Sequence, residues 1–104
     1  MKVLTEGHKY IMDNFEHDDT QHVIQFIEKV PVEGSAGGVL ETVHNGTTNE
    51  EVLRVLIDRM QYLQGKFPCR ENAIVITNLE ESLMWLEKRT ADRQARGVEG
   101  KQIK

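Results

Sequence analysis

A single cysteine, Cys69, leaves this chain without any internal disulfide. That absence suits a reducing cytoplasm. No apolar run approaches the ~18–20 residues needed to span a bilayer, and the opening MKVLTEGHKY lacks the long apolar stretch of a secretory signal. The four histidines, His8, His17, His22 and His44, show no metal-ligand spacing such as HExxH. No GxGxxG turn and no Walker loop occurs, and no Ser-His-Asp order stands out. Positive charge is scarce as well. The net charge of −4 argues against a general nucleic-acid binder, which would be basic overall. The expectation is a cytosolic protein, not an enzyme, with no cofactor, no metal, no membrane and no DNA or RNA partner.

The little positive charge there is lies at one end. Residues 88–104 hold six Lys or Arg against two Asp or Glu, a balance of +4; the first 87 residues hold seven against fifteen, a balance of −8. An acidic chain that concentrates its cations in this way is suited to meet a small anion there, which needs only two or three local charges.

The length of 104 residues implies one domain. A chain of this size buries roughly 60–70% of its unfolded surface, so it holds a modest core or shares a larger one with copies of itself. Residues 9–16 (KYIMDNFE) have strand-like density, and residues 22–30 (HVIQFIEKV) alternate as a strand that ends at Pro31. Glu33 to Gly38 is a flexible glycine-rich loop, and residues 39–44 (VLETVH) read as a third strand. Together they predict a small antiparallel meander.

Asn45-Gly46 is a turn signal. After it, Thr48 and Glu51 fit a capping box, in which each side chain satisfies the other's free backbone N–H. The helix that follows carries Leu53, Leu56, Ile57, Met60 and Leu63 on one stripe, with Gly65 as its stop. Pro68 precedes a second, longer helix over 69–97, in which Ile76, Leu79, Leu83 and Leu86 recur at spacings of four and three. A helix of that length would run to about 42 Å, more than the shorter one can cover. The predicted fold class is therefore α+β: an N-terminal antiparallel β-meander (1–46), then a long antiparallel two-helix hairpin (47–97) that oligomerises through its helices, and a frayed tail (98–104).

Arg89 and Arg93, four apart, share one helix face, with Arg96 nearby. Cations at a helix C-terminus offset its dipole; guanidinium groups also grip phosphates bidentately or stack on bases. Tyr62 is either a half-buried aromatic or a platform for a purine. Asn72 is either an ordinary residue near a helix start or a reader of adenine's donor–acceptor edge. A Tyr, an Asn and two Arg have the right chemistry for a nucleotide, although they do not by themselves form a motif.

The segment ENAIVITNLEESLMWLEKRTADRQARGVEG resembles the helical hairpin domain shared by two phage immune-evasion families, the Thoeris anti-defence sponges and the anti-CBASS cyclic-nucleotide sponges. The capped helix TTNEEVLRVLIDRMQYL is similar to the first arm of the same hairpin, and the strand-like first 45 residues fit the Thoeris branch better. The resemblance implies a protein that binds a cyclic immune signal and releases it intact. In the Thoeris branch that signal is glycocyclic ADP-ribose, made by TIR-domain enzymes of the infected host. The resemblance also implies a homodimer that can assemble into a hexamer, and a ligand site carried here by Tyr62, Asn72, Arg89 and Arg93. The alternatives are a sponge for cyclic di- or trinucleotides and a hairpin that docks a protein partner.

Overall fold

The computed structural model describes residues 1–35 and 37–103. They form two compact units, residues 1–48 with 100–103, and residues 49–99.

The first unit contains two small antiparallel sheets. Strands β1 (Lys2–Thr5), β2 (Lys9–Met12) and β3 (His22–Gln25) pair in that order, with Tyr10 opposite Ile24. Strands β4 (Glu28–Pro31) and β5 (Leu40–His44) form a separate hairpin. Antiparallel β structure ahead of two helices agrees with the sequence; its division differs. The expected strand over 22–30 is interrupted at Phe26 and Ile27. There the chain leaves the β2 ladder and bridges Thr47: Ile27 N–H donates to the Thr47 carbonyl at 2.9 Å, and Thr47 N–H to the Gln25 carbonyl at 2.8 Å. Gly46 permits this approach, because a Cβ at that position would collide with the Gln25 carbonyl. Asn45-Gly46 is thus a close backbone crossing as well as a turn. Tyr10 and Phe26 meet edge to face at 6.1 Å and 82°, a favoured aromatic geometry.

The strand read over 9–16 stops at Met12. Beyond it, Asn14 donates from Nδ2 to Asp18 and to the Thr20 carbonyl, which closes a loop rather than extending a ladder. In the glycine-rich segment, Gly34, Gly37 and Gly38 all have positive φ, and Ala36 lies outside the described residues. Of the tail expected to fray, residues 100–102 are tied down, and Lys104 lies outside the described residues. Leu40 N–H donates to the Gly100 carbonyl and Gln102 N–H to the Gly38 carbonyl, so residues 100–102 run beside the start of β5.

The second unit is the helical hairpin, α1 (Asn49–Lys66) and α2 (Arg70–Ala95). Thr48 stands at the N-cap position of α1 and Glu51 at its third helical residue, the register a capping box requires. Gly65 does not stop α1, which runs one residue further. The turn is held by Gln64, whose amide accepts from Cys69 N–H at 3.0 Å and donates to the Cys69 carbonyl at 3.1 Å. Cys69 is in turn the N-cap of α2, its Sγ accepting from Asn72 N–H at 3.4 Å. A thiol is a weak acceptor. Cys69→Ser is expected to stabilise the hairpin by about 0.5–1 kcal/mol, read as a rise in melting temperature; a fall would show that the thiol contributes more by packing.

Leu53, Ile57, Met60 and Leu63 of α1 face Ile76, Leu79, Leu83 and Leu86 of α2, all only half-buried, while Leu56 is exposed. Arg54 ties the arms together, donating to Glu51 at 3.3 Å and across the hairpin to Glu87 at 3.2 Å. Such exposed pairs contribute at most about 1 kcal/mol. With 18 residues in α1 and 26 in α2, the longer arm extends roughly 12 Å further. Among the described residues no hydrophobic side chain is fully buried. An amphipathic hairpin in that state lacks the packing that usually stabilises helices of this kind.

Candidate ligand-binding site

The far end of α2 closes with two interlocking hydrogen bonds. Val98 N–H donates back to the Arg93 carbonyl at 3.0 Å and Gly97 N–H to the Gln94 carbonyl at 3.1 Å. Gly97 takes φ +71°, the left-handed position of a Schellman cap, where glycine carries no Cβ penalty. Arg93 folds onto this cap. Its Nε donates to Glu99 Oε2 at 3.2 Å and its Nη2 to the Val98 carbonyl at 2.9 Å. At 6% exposure it is the only buried residue among those described.

Arg89, one turn earlier, is exposed and makes no ion pair or hydrogen bond among the described residues. Trp85, Lys88, Arg89, Asp92, Arg93 and Arg96 line an open notch of about 270 Å³. Four cations and one acid leave it at +3. The Lys88 ammonium sits 5.4 Å from the Trp85 ring centre, within cation–π range. The indole is 56% exposed. The sequence reading did not single out Trp85 or Lys88 and named Arg96 only as a neighbour of the pair. The signal was the spacing 85, 89, 92, 96, which keeps all four on one face.

Tyr62 and Asn72 stand at the opposite end of the hairpin. Tyr62 is 58% exposed, on the outer face of α1 with Val55, Arg59 and Lys66, and the Lys66 ammonium lies 5.6 Å from its ring centre. Asn72 is half-buried at the start of the inward stripe of α2, and its side-chain amide makes no hydrogen bond among the described residues. Asn72 and Arg89 are seventeen positions apart on one continuous helix, about 26 Å at the α-helical rise. One chain brings Arg89 and Arg93 together, and holds Tyr62 and Asn72 near its turn. It does not bring the two pairs to one place.

A second seam runs along α2 beside the inward stripe. Glu71, Val75, Asn78, Ser82, Trp85 and Arg89 recur at spacings of four and three and are all exposed. The Ser82 hydroxyl is already satisfied, donating to the Asn78 carbonyl at 3.0 Å.

Comparison with known proteins matches residues 20–91 to the family described as Acb2/Tad1, hairpin domain. The chain belongs to this family. The Acb2/Tad1 match takes in β3, β4, β5, α1 and most of α2. Tyr62, Asn72 and Arg89 fall within it; Arg93 lies two residues beyond. The chain is also 57% identical over 65 residues to a protein of Bacillus phage SBSphiJ7 named Thoeris anti-defense 1. That alignment covers 62% of this chain and 46% of the phage protein, so the chain spans about half the length of this relative.

Proposed function

We propose that this protein is a non-catalytic phage anti-defence sponge that acts in the infected bacterium. It would bind a cyclic ADP-ribose signal, glycocyclic ADP-ribose, and remove it from solution. The observation that carries this reading is the cationic notch, where Arg89, without an ion pair or hydrogen bond among the described residues, lies beside Arg93 and Arg96. Guanidinium groups match the planar, bidentate geometry of phosphate oxygens, and the exposed ring of Tyr62 offers a face for a purine. The groups gathered at the notch bind; the likeness to a Thoeris anti-defence protein supports the same direction.

The site is proposed to form between two copies. The second seam of α2 is self-complementary about Glu80. Positions 71 and 89, 75 and 85, and 78 and 82 are each equidistant from it. Two antiparallel α2 helices related by a two-fold axis there would set Glu71 against Arg89, Val75 against Trp85, and Asn78 against Ser82. Small polar groups would meet at the axis, apolar ones on either side of it, and opposite charges at the ends. The same register carries Arg89 and Arg93 of one copy to the turn end of the other, the end that holds its Tyr62 and Asn72. Arg would hold the diphosphate, Tyr would stack, and Asn would read a base or ribose edge.

The test is to incubate the protein with lysate of TIR-activated cells, denature it by heat, and identify what is released. Intact glycocyclic ADP-ribose supports the reading. Release of a cleaved product would instead show an enzyme, and release of cyclic di- or trinucleotides would give the site a different signal.

A further inference from the structure

The Arg93 guanidinium is placed by a residue outside the helix that carries it. Glu99 lies beyond the Schellman turn, and the turn directs its carboxylate back to Arg93 Nε at 3.2 Å. Val98 supplies the second acceptor, to Nη2 at 2.9 Å. Nε and Nη2 lie along the same edge of the guanidinium plane, so two acceptors on that edge fix its tilt as well as its position. The cation is 7% exposed at the side chain, whereas Glu99 is 44% exposed. Arg93 is thus held and Glu99 is the more accessible partner. Its neighbour Arg89 has no comparable restraint among the described residues.

We infer that Glu99 is a positioning residue for the nucleotide site: it pre-orients Arg93 so that the anion meets an already ordered guanidinium. The inference rests on the proposed role of Arg93. An arginine free to rotate must lose that freedom when it binds, and ordering it beforehand removes the cost from the binding step. Two effects of Glu99 oppose each other. Its charge repels an incoming phosphate, while its geometry fixes the group that receives the phosphate. The proposal is that geometry dominates.

Substitutions separate the two effects. Glu99→Ala removes both charge and acceptor. Glu99→Gln keeps an acceptor oxygen and removes the charge. Calorimetry with glycocyclic ADP-ribose is expected to show Glu99→Ala weakened about five- to thirtyfold, the loss that follows from ordering one long side chain. Glu99→Gln should match or exceed the parent. The Arg93 Nε–H resonance should be sharp in the parent and in Glu99→Gln, and broadened in Glu99→Ala. In an Arg93→Ala background, Glu99→Ala should cost nothing more.

An Ala variant that binds as well as the parent, or tighter, would overturn the inference, as would an equal loss in the Arg93→Ala background. If Arg93→Ala alone binds as the parent does, the assignment of Arg93 to the site is wrong. A parent protein that retains no ligand refutes the proposed function and this inference with it. Melting temperatures within a few degrees of the parent confirm that each variant remains folded.

Discussion

Replacing Arg89 and Arg93 together by alanine is expected to weaken retention of glycocyclic ADP-ribose by roughly two to four orders of magnitude. Each charge-assisted hydrogen bond contributes about 1.5–3 kcal/mol, and every 1.4 kcal/mol is about tenfold in affinity. A sponge depends on tight binding; nanomolar affinity corresponds to about −12 kcal/mol, so the loss of two such contacts would end useful sequestration. The two positions differ in what else they support. Arg89 has no partner of its own chain among the described residues, so Arg89→Ala should cost no more than the exposed pair with Glu71 of the facing copy, at most about 1 kcal/mol, while weakening binding. Arg93 also locks the end of α2 through Glu99 and Val98, so Arg93→Ala should lower stability as well. Calorimetry and thermal melting on the single and double variants measure both. Undiminished binding in the double variant would place the ligand elsewhere.

The second large effect concerns Trp85. The indole is 56% exposed in a chain without a fully buried apolar side chain among its described residues. In the two-fold register it would pack on Val75 of the facing copy, and symmetry makes that contact twice. Truncating a buried aromatic at an interface centre costs about 2 kcal/mol or more. Trp85→Glu should therefore weaken the dimer by about 4 kcal/mol, roughly a thousandfold. Sedimentation should show a monomer at concentrations where the parent is a dimer or a multiple of one. Hairpin melting should fall with it, because the long helix loses its cover. An unchanged sedimentation coefficient would mean that α2 pairs through another face.

The helical hairpin was legible in the sequence because its signals are local. Thr48 and Glu51 mark one start, Pro68 sits just before the other, and Ile76, Leu79, Leu83 and Leu86 give the inward stripe. The strands were harder to delimit. Residues 22–30 alternate without a break, yet the ladder changes partner at Phe26 because Gly46 lets the backbone of Thr47 approach. That is a contact between segments about twenty residues apart, which a local pattern does not carry. The strand Lys2–Thr5 and the pairing of residues 100–102 are likewise set by what lies beside them. At the candidate site, the Arg89 and Arg93 pair follows from helical spacing. The Glu99 latch does not, because it depends on the reversal that Gly97 permits at φ +71°. The separation of Tyr62 and Asn72 from the arginines could have been read from the helix length alone: about 26 Å of rigid rod cannot fold a site onto itself.

That separation makes mixing the most direct test of a shared site. Asn72→Ala and the Arg89→Ala, Arg93→Ala chain should each fail to retain glycocyclic ADP-ribose on its own. Unfolded together and refolded as a mixture, they should recover about a quarter of the parent's capacity, because half the dimers are mixed and one of their two sites is intact. Recovery at that level would show that each site draws on both copies. A mixture that retains no more ligand than the separate variants would contradict the account.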